Sequence, residues 1–178
     1  MAAHNRQGSA TTTSTDPAER ARAIALNYLN HSPRSSGQLR AKLLAQEVEP
    51  AIVELIIERY IEVGLLDDAA LAATIARTRH SERGLSRRAI ASELQRKGFA
   101  QQHVRGALAE IAEEDEWAAA QELAAKRWNR LEGHSDDVRT RRVVGLLGRK
   151  GYGPNIAFAV VKGLIGADIK DVEPNTDV

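Results

Sequence analysis

Arginines are the residues of this chain best suited by type and spacing to do chemistry, and the chemistry they suit is anion binding. Arg87 and Arg88, then Arg139, Arg141 and Arg142, fall in or near the first turns of expected helices. The helix dipole disfavours cations there by about 0.3 kcal/mol or more, so an anionic partner is the natural compensation. Guanidinium groups match carboxylates and phosphates well. Arg96-Lys97 and Arg149-Lys150 fall in expected last turns, where cations already suit the dipole. Arg77, Arg79, Arg83, Lys126, Arg127 and Arg130 complete two basic stretches. Together these side chains are the candidate surface for an anionic partner.

No catalytic constellation accompanies them. The histidines His4, His31, His80, His103 and His134 never stand three or four residues apart, so no helix presents a zinc pair. Gly151-Tyr152-Gly153-Pro154 holds two glycines of a nucleotide fingerprint, but it follows an expected helix and ends in proline, which fits a turn. Asp67-Asp68 fits a helix N-terminus better than a carboxylate pair. With no cysteine there is no disulfide, thiolate ligand or thiol nucleophile. The expectation is a non-enzymatic chain without cofactor or metal.

Charge is segregated along the chain although the net value is only +1. Residues 43 to 70 are acidic, with Glu47, Glu49, Glu54, Glu58, Glu62, Asp67 and Asp68 against Arg59. An acidic knot, Glu110, Glu113, Glu114, Asp115 and Glu116, separates the two basic stretches. Such blocks give distinct acidic and basic faces. No run approaches the roughly 20 apolar residues of a membrane span. The polar start, Met1 to Asp16, has no apolar core of a secretory signal. A cytoplasmic protein without membrane contact is expected.

The elements that must position the arginines are helices. Ala, Leu, Glu and Arg dominate, and apolar residues recur at helical spacing. One apolar frame occurs three times: Leu39, Leu43, Val48, Ile52, Ile56; Ile90, Leu94, Phe99, Val104, Leu108; and Val143, Leu147, Tyr152, Ile156, Val160. The second copy has one extra residue after Phe99 in this alignment. Each frame describes a helix, a tight turn and a return helix. Lys97-Gly98-Phe99 and Lys150-Gly151-Tyr152 spell out the turn, glycine supplying the left-handed residue. Glu47-Val48 stands there in the first copy, which must turn another way.

A further helix precedes each frame, starting at Asp16-Pro17, Asp67 and Asp115, with Ile24, Leu71, Ile75, Ala119 and Leu123 on the apolar faces. Ser36, Asp67 and Ser86 are expected N-caps, Pro50 a first-turn proline, and Gly64, Gly98 and Gly151 helix stops. The third unit has a longer loop around Leu131 to Ser135. Trp117 and Trp128 share its first helix, and a core or inter-repeat place suits them better than base stacking. The predicted fold is all-α: three tandem three-helix repeats at 17–64, 67–112 and 115–165, stacked into an elongated, curved body. Residues 1–16 and 167–178 are expected to be a disordered and a flexible tail.

Gly64-Leu65-Leu66-Asp67-Asp68, followed by Leu71-Ala72, Arg77 and Arg79, then Gly84-Leu85-Ser86, Ile90, Leu94 and Lys97-Gly98-Phe99, resembles the RecX family. Leu147 through Lys150-Gly151-Tyr152 continues the likeness, which covers about residues 20–165. The resemblance implies a cytoplasmic bacterial modulator of the RecA recombinase, acting in DNA repair, recombination and the SOS response. Such proteins lie in the groove of the RecA filament on single-stranded DNA. They limit filament extension and suppress ATPase, strand-exchange and coprotease activity. It implies a monomer with RecA as partner. The competing expectation is a nonspecific DNA binder using basic repeats two and three, with weak direct affinity for DNA. A sequence-reading helix-turn-helix fits poorly, because the third helices, with Ile52, Ile56, Ile156 and Val160, are apolar.

Overall fold

The computed structural model describes residues 16–172, with side chains through Asp168. These residues form nine helices: α1 (Pro17–His31), α2 (Ser36–Leu44), α3 (Pro50–Glu62), α4 (Asp68–Arg83), α5 (Arg87–Arg96), α6 (Gln101–Ala109), α7 (Glu113–Asn129), α8 (Asp136–Arg149) and α9 (Pro154–Val172). No strand occurs among the described residues. The chain is all-α with tandem three-helix repeats. It divides into two compact units, one ending at Leu66 and one starting at Asp67. The first holds α1 to α3; the second holds α4 to α9. Apart from Asp16, the expected N-terminal tail lies outside the described residues. Helix α9 runs on through Ala167 to Val172, where the sequence pattern expects a flexible tail; positions 173–178 lie outside the described residues.

Each repeat builds its core in one way. The first helix contributes a pair of fully buried alanines: Ala21 and Ala25, Ala72 and Ala76, Ala120 and Ala124. The larger Ile24, Leu71, Ile75 and Leu123, predicted to lead these faces, are only partly buried and flank the core. Alanine four residues from alanine leaves a shallow stripe on which the other two helices pack closely. The second helix contributes Leu39 and Leu43, Ile90 and Leu94, Val143 and Leu147, all without exposed surface. Burying one such side chain stabilises by about 1.5–3 kcal/mol.

The return helix corrects the predicted register. Val53, Val104 and Ala157 are the first buried residues of α3, α6 and α9, each ten residues after the preceding buried leucine. Pro50, Gln101 and Pro154 each open their helix seven residues after it. The second copy therefore has no insertion; the first and third frames slip by one residue at Ile52 and Ile156, which are partly buried neighbours. Ile56, Ala107 and Val160 then align, as do Ile57, Leu108 and Val161.

Helix ends follow local chemistry. Asp16, Ser35, Asp67 and Ser86 cap α1, α2, α4 and α5 by accepting backbone N–H groups. The α2 cap is Ser35 and not Ser36, because Ser35 and Gln38 close a reciprocal capping box. Helix α7 starts at Glu113, earlier than the predicted Asp115, so that Glu113, Glu114, Asp115 and Glu116 all lie in its first turn. The extra residues of the third repeat lengthen α8 as well as its loop: Arg139 stands where Ser35 and Ser86 stand in their repeats, four before the buried Val143, yet α8 begins at Asp136.

The first repeat turns as the others do. Glu47 takes a left-handed backbone, φ 58°, at the place of Gly98 and Gly151, φ 76° and 91°. Val48 N–H donates to the Leu43 carbonyl at 3.2 Å, as Phe99 does to Leu94 and Tyr152 to Leu147. The hydrogen-bond pattern dictates the conformation and Glu47 bears the strain, roughly 1–2 kcal/mol for an L-residue. Replacing Glu47 by Gly relieves that strain but raises chain entropy in the unfolded state. The expected net is a first unit about 0.5–1 kcal/mol more stable. Urea unfolding followed by circular dichroism measures it, with Glu47→Ala expected to give no gain.

Candidate partner-binding surface

Inside the second unit, several of the predicted arginines and lysines meet where the turn between α4 and α5 packs against the turn between α8 and α9. The Ser86 N–H donates to the Lys150 carbonyl at 3.0 Å. Lys150 Nζ reaches the Arg83 carbonyl at 2.6 Å, the Tyr152 hydroxyl donates to the Gly84 carbonyl at 3.2 Å, and Arg88 Nε donates to the Gly151 carbonyl at 3.1 Å. In α2 the cap N–H is instead satisfied by Gln38. Helix α5 has Ala89 at that place, which frees the Ser86 N–H and leaves room for the incoming turn. A Cβ on Gly151 would stand 2.5 Å from Ser86 Oγ and 2.6 Å from the Ala89 Cβ. Burial first, and the Glu116 charge second, push the Tyr152 phenol up to about 12, so it remains a neutral donor.

This joint corrects the argument from first-turn cations. Arg87 has acids of its own chain beside it: its guanidinium lies 3.8 Å from Glu113, and its backbone N–H donates to Glu116 Oε1 at 2.8 Å. Arg88 and Lys150 satisfy carbonyls that helix ends leave over. Arg139 is 12% exposed, 2.7 Å from Asp168 and 3.9 Å above the Trp128 ring, so it is a core residue with a charged head. Arg141 and Arg142 lie in the second turn of α8, where the dipole argument has faded.

Other predicted cations are also tied. Arg79 makes a bidentate pair with Glu93, both about one-fifth exposed at 21% and 18%. The Arg79 guanidinium holds the Glu93 carboxyl below its usual value against the opposing effect of burial. Lys97 lies 4.0 Å from the same carboxylate. Arg77 pairs with Glu110 and Lys126 with Glu122, both on the surface, where such pairs contribute about 0–1 kcal/mol. Arg142 lies 3.4 Å from His134.

Arg83, Arg96, Arg130, Arg141 and Arg149 are exposed, and their guanidinium groups have no hydrogen-bond or ion-pair partner among the described residues; Arg127 is half-buried and likewise unpaired. Arg96 and Arg149 are the last residues of α5 and α8, matched between repeats as the sequence predicts. Arg142 and Arg149, seven apart, share one face of α8. Trp128 is buried and donates its indole N–H to Asp168 at 2.9 Å, whereas Trp117 is 37% exposed. Asp168, Glu116 and the hydroxyl of Tyr152 escape the pattern of the sequence, because they act through long-range contacts that periodicity does not register.

No helix of the described residues is long and apolar enough to cross a membrane. Three models of one family match, described as the first, second and third three-helix domains of RecX, at residues 21–59, 67–108 and 113–161. Relatives from Thermobifida fusca and Streptomyces coelicolor, each named regulatory protein RecX, are 36% and 37% identical over 86% and 89% of this chain and 83% and 84% of their own. The crystal structure of RecX from Lactobacillus salivarius shares the fold, with TM-score 0.73 and 23% identity over 84% of this chain and 97% of that one. A second solved regulatory protein RecX gives TM-score 0.68 and 25% identity over 82% and 71%. A three-domain match in order along the chain, with relatives above 30% identity over more than four-fifths of both chains, establishes that this chain belongs to the RecX family.

Proposed function

We propose that this chain regulates RecA by binding the groove of its filament on single-stranded DNA, without catalysis, and so limits filament extension and the ATPase, strand-exchange and coprotease activities. Family membership supports the regulatory role. The observation that carries the contact surface is the set Arg96, Arg130, Arg141 and Arg149: exposed guanidinium groups of repeats two and three with no internal acid to neutralise them. Their targets are acidic RecA side chains, DNA phosphates or both. Contacts with several protomers multiply modest individual affinities. Inhibition follows because the bound chain favours one filament state or blocks subunit addition.

The test is RecA ATPase on single-stranded DNA with substoichiometric protein, paired with co-sedimentation of the filament. Arg96→Glu, Arg141→Glu and Arg149→Glu combined should raise the half-inhibitory concentration about tenfold or more, equivalent to about 1.4 kcal/mol. Surface substitutions of this kind change stability by only about 0.5 kcal/mol. Wild-type inhibition by the triple variant would show that the contact lies on another face. Absence of both inhibition and co-sedimentation by the unaltered protein would sink the reading altogether.

Direct DNA binding has one observation in its favour: α6 presents Gln101, Gln102 and Arg105 to solvent in its first two turns, a more polar face than α3 or α9 offers. Salt titration of single-strand binding without RecA separates the two readings, since phosphate contacts give a steep salt slope.

A further inference from the structure

Cations gather at a concave place in the acidic first unit. A cavity of about 400 Å³ between α1 and α2 is lined by Ile24, Asn27, Tyr28, His31, Arg34, Lys42 and Gln46. No carboxylate lines it, although glutamates crowd the following segment. Arg34 enters from the turn between the helices and lies 4.9 Å from the Tyr28 ring centroid, with its Nε buried and without a hydrogen-bond partner. The His31 ring is held at the rim by its Nδ1–H, which donates to the Asn27 carbonyl at 2.7 Å. Lys42, in the last turn of α2, has no ion-pair partner among the described residues.

We propose that this cavity is a subsite for a phosphate group. A guanidinium stacked on a tyrosine is pre-organised, since the ring restricts its rotamers before any ligand arrives. Arg34 supplies the fork and Lys42 a compact charge, both on one concave surface. The cavity exceeds the volume of a bare phosphate, and Ile24 and the amides of Asn27 and Gln46 suit whatever carries the group. The phosphate comes from a free anion or from the end of a nucleic-acid strand. The proposal uses none of the exposed arginines of repeats two and three and does not depend on the RecA reading.

The test is two-dimensional NMR on the full chain, following the arginine Nε–H and backbone signals of residues 24 to 46. The probes are inorganic phosphate in one arm and 5′-phosphorylated oligothymidine, against its 5′-hydroxyl counterpart, in the other. Saturable shifts of Arg34, His31 and Lys42 are expected. Saturation by inorganic phosphate identifies the free anion as a sufficient ligand; saturation only by the phosphorylated strand identifies the strand end. Lys42→Gln, on an exposed helical position, should weaken binding about fivefold or more, and Lys162→Gln in α9 should leave it unchanged. Arg34→Gln should abolish the shifts. If neither probe saturates these signals, or if Lys42→Gln binds like the unaltered chain, the proposal is wrong.

Discussion

Gly151→Ala should destabilise the second unit by about 2–4 kcal/mol, through a backbone cost and a steric cost that add. The backbone cost comes from φ 91°, a conformation that strains any L-residue. The steric cost comes from Ser86 Oγ and Ala89 Cβ, 2.5 Å and 2.6 Å from the new methyl group. Neither neighbour is the end of a flexible chain. The two turns must therefore separate, and the hydrogen bonds from Ser86 N–H to Lys150 and from Tyr152 to Gly84 lengthen with them. Gly133→Ala is the control. Its φ of 87° is similar, but nothing lies within 4 Å of its Cβ, so only the backbone cost of about 1–2 kcal/mol applies. Trp117 and Trp128 are the chain's two tryptophans and both lie in α7, so tryptophan fluorescence in a urea titration reads the second unit alone. Equal losses for the two variants would mean that the close approach does not constrain the joint.

The contrast between these glycines shows where sequence reading reaches and where it stops. Threefold repetition is legible because side-chain burial recurs at fixed spacing: the leucines of α2 and α5 and the positions around Phe99 and Tyr152 declare themselves. The slip at Ile52 and Ile156 has a simple cause. A helix face is broader than one residue, and isoleucine beside the buried position draws the alignment away from Val53 and Ala157. The alanine pairs of α1, α4 and α7 are missed because alanine contributes little hydrophobicity, while its small volume is what close helix packing needs. Charge placement is legible as composition but not as function. Arg87, Arg88, Arg139 and Lys150 look like an anion-binding surface until their partners are seen; Glu113, Glu116 and Asp168 lie 26 or more residues away along the chain from the arginines they meet, Arg88 and Lys150 reach backbone carbonyls, and only Asp136 is a near neighbour of Arg139. Only the cations left without such partners remain candidates for contact with another molecule.

Arg139 makes that distinction measurable. Arg139→Ala should cost the second unit about 2–4 kcal/mol, whereas Arg141→Ala, two residues on, should cost less than about 0.5 kcal/mol. The guanidinium covers the Trp128 ring at 3.9 Å, a contact worth about 1–2 kcal/mol where it excludes water. It also donates a charge-assisted hydrogen bond to Asp168, which the indole N–H of Trp128 shares. Removal leaves the ring face open and the carboxylate with one donor. Asp168 is 45% exposed, so water takes part of that role and the loss stays below that of a sealed ion pair. The hydrogen bond from Trp128, helped by Arg139, holds the Asp168 carboxyl below its usual value of 3.8 against the opposing effect of burial. A lowered folded-state value means that the carboxylate contributes stability above the unfolded value, and that this contribution disappears as pH falls through the folded one. Asp168→Asn should accordingly lose stability against the unaltered chain at neutral pH, and the difference should shrink as the pH drops below about 4. Unfolding curves at a series of pH values, read by the fluorescence of the two α7 tryptophans, give both results. A pH-independent difference would mean that the carboxylate does not bind these donors in solution. Loss of RecA inhibition on changing Arg139 then has to be judged at matched folded fraction, because this side chain acts by holding α7, α8 and α9 together, and Arg141 has no such duty.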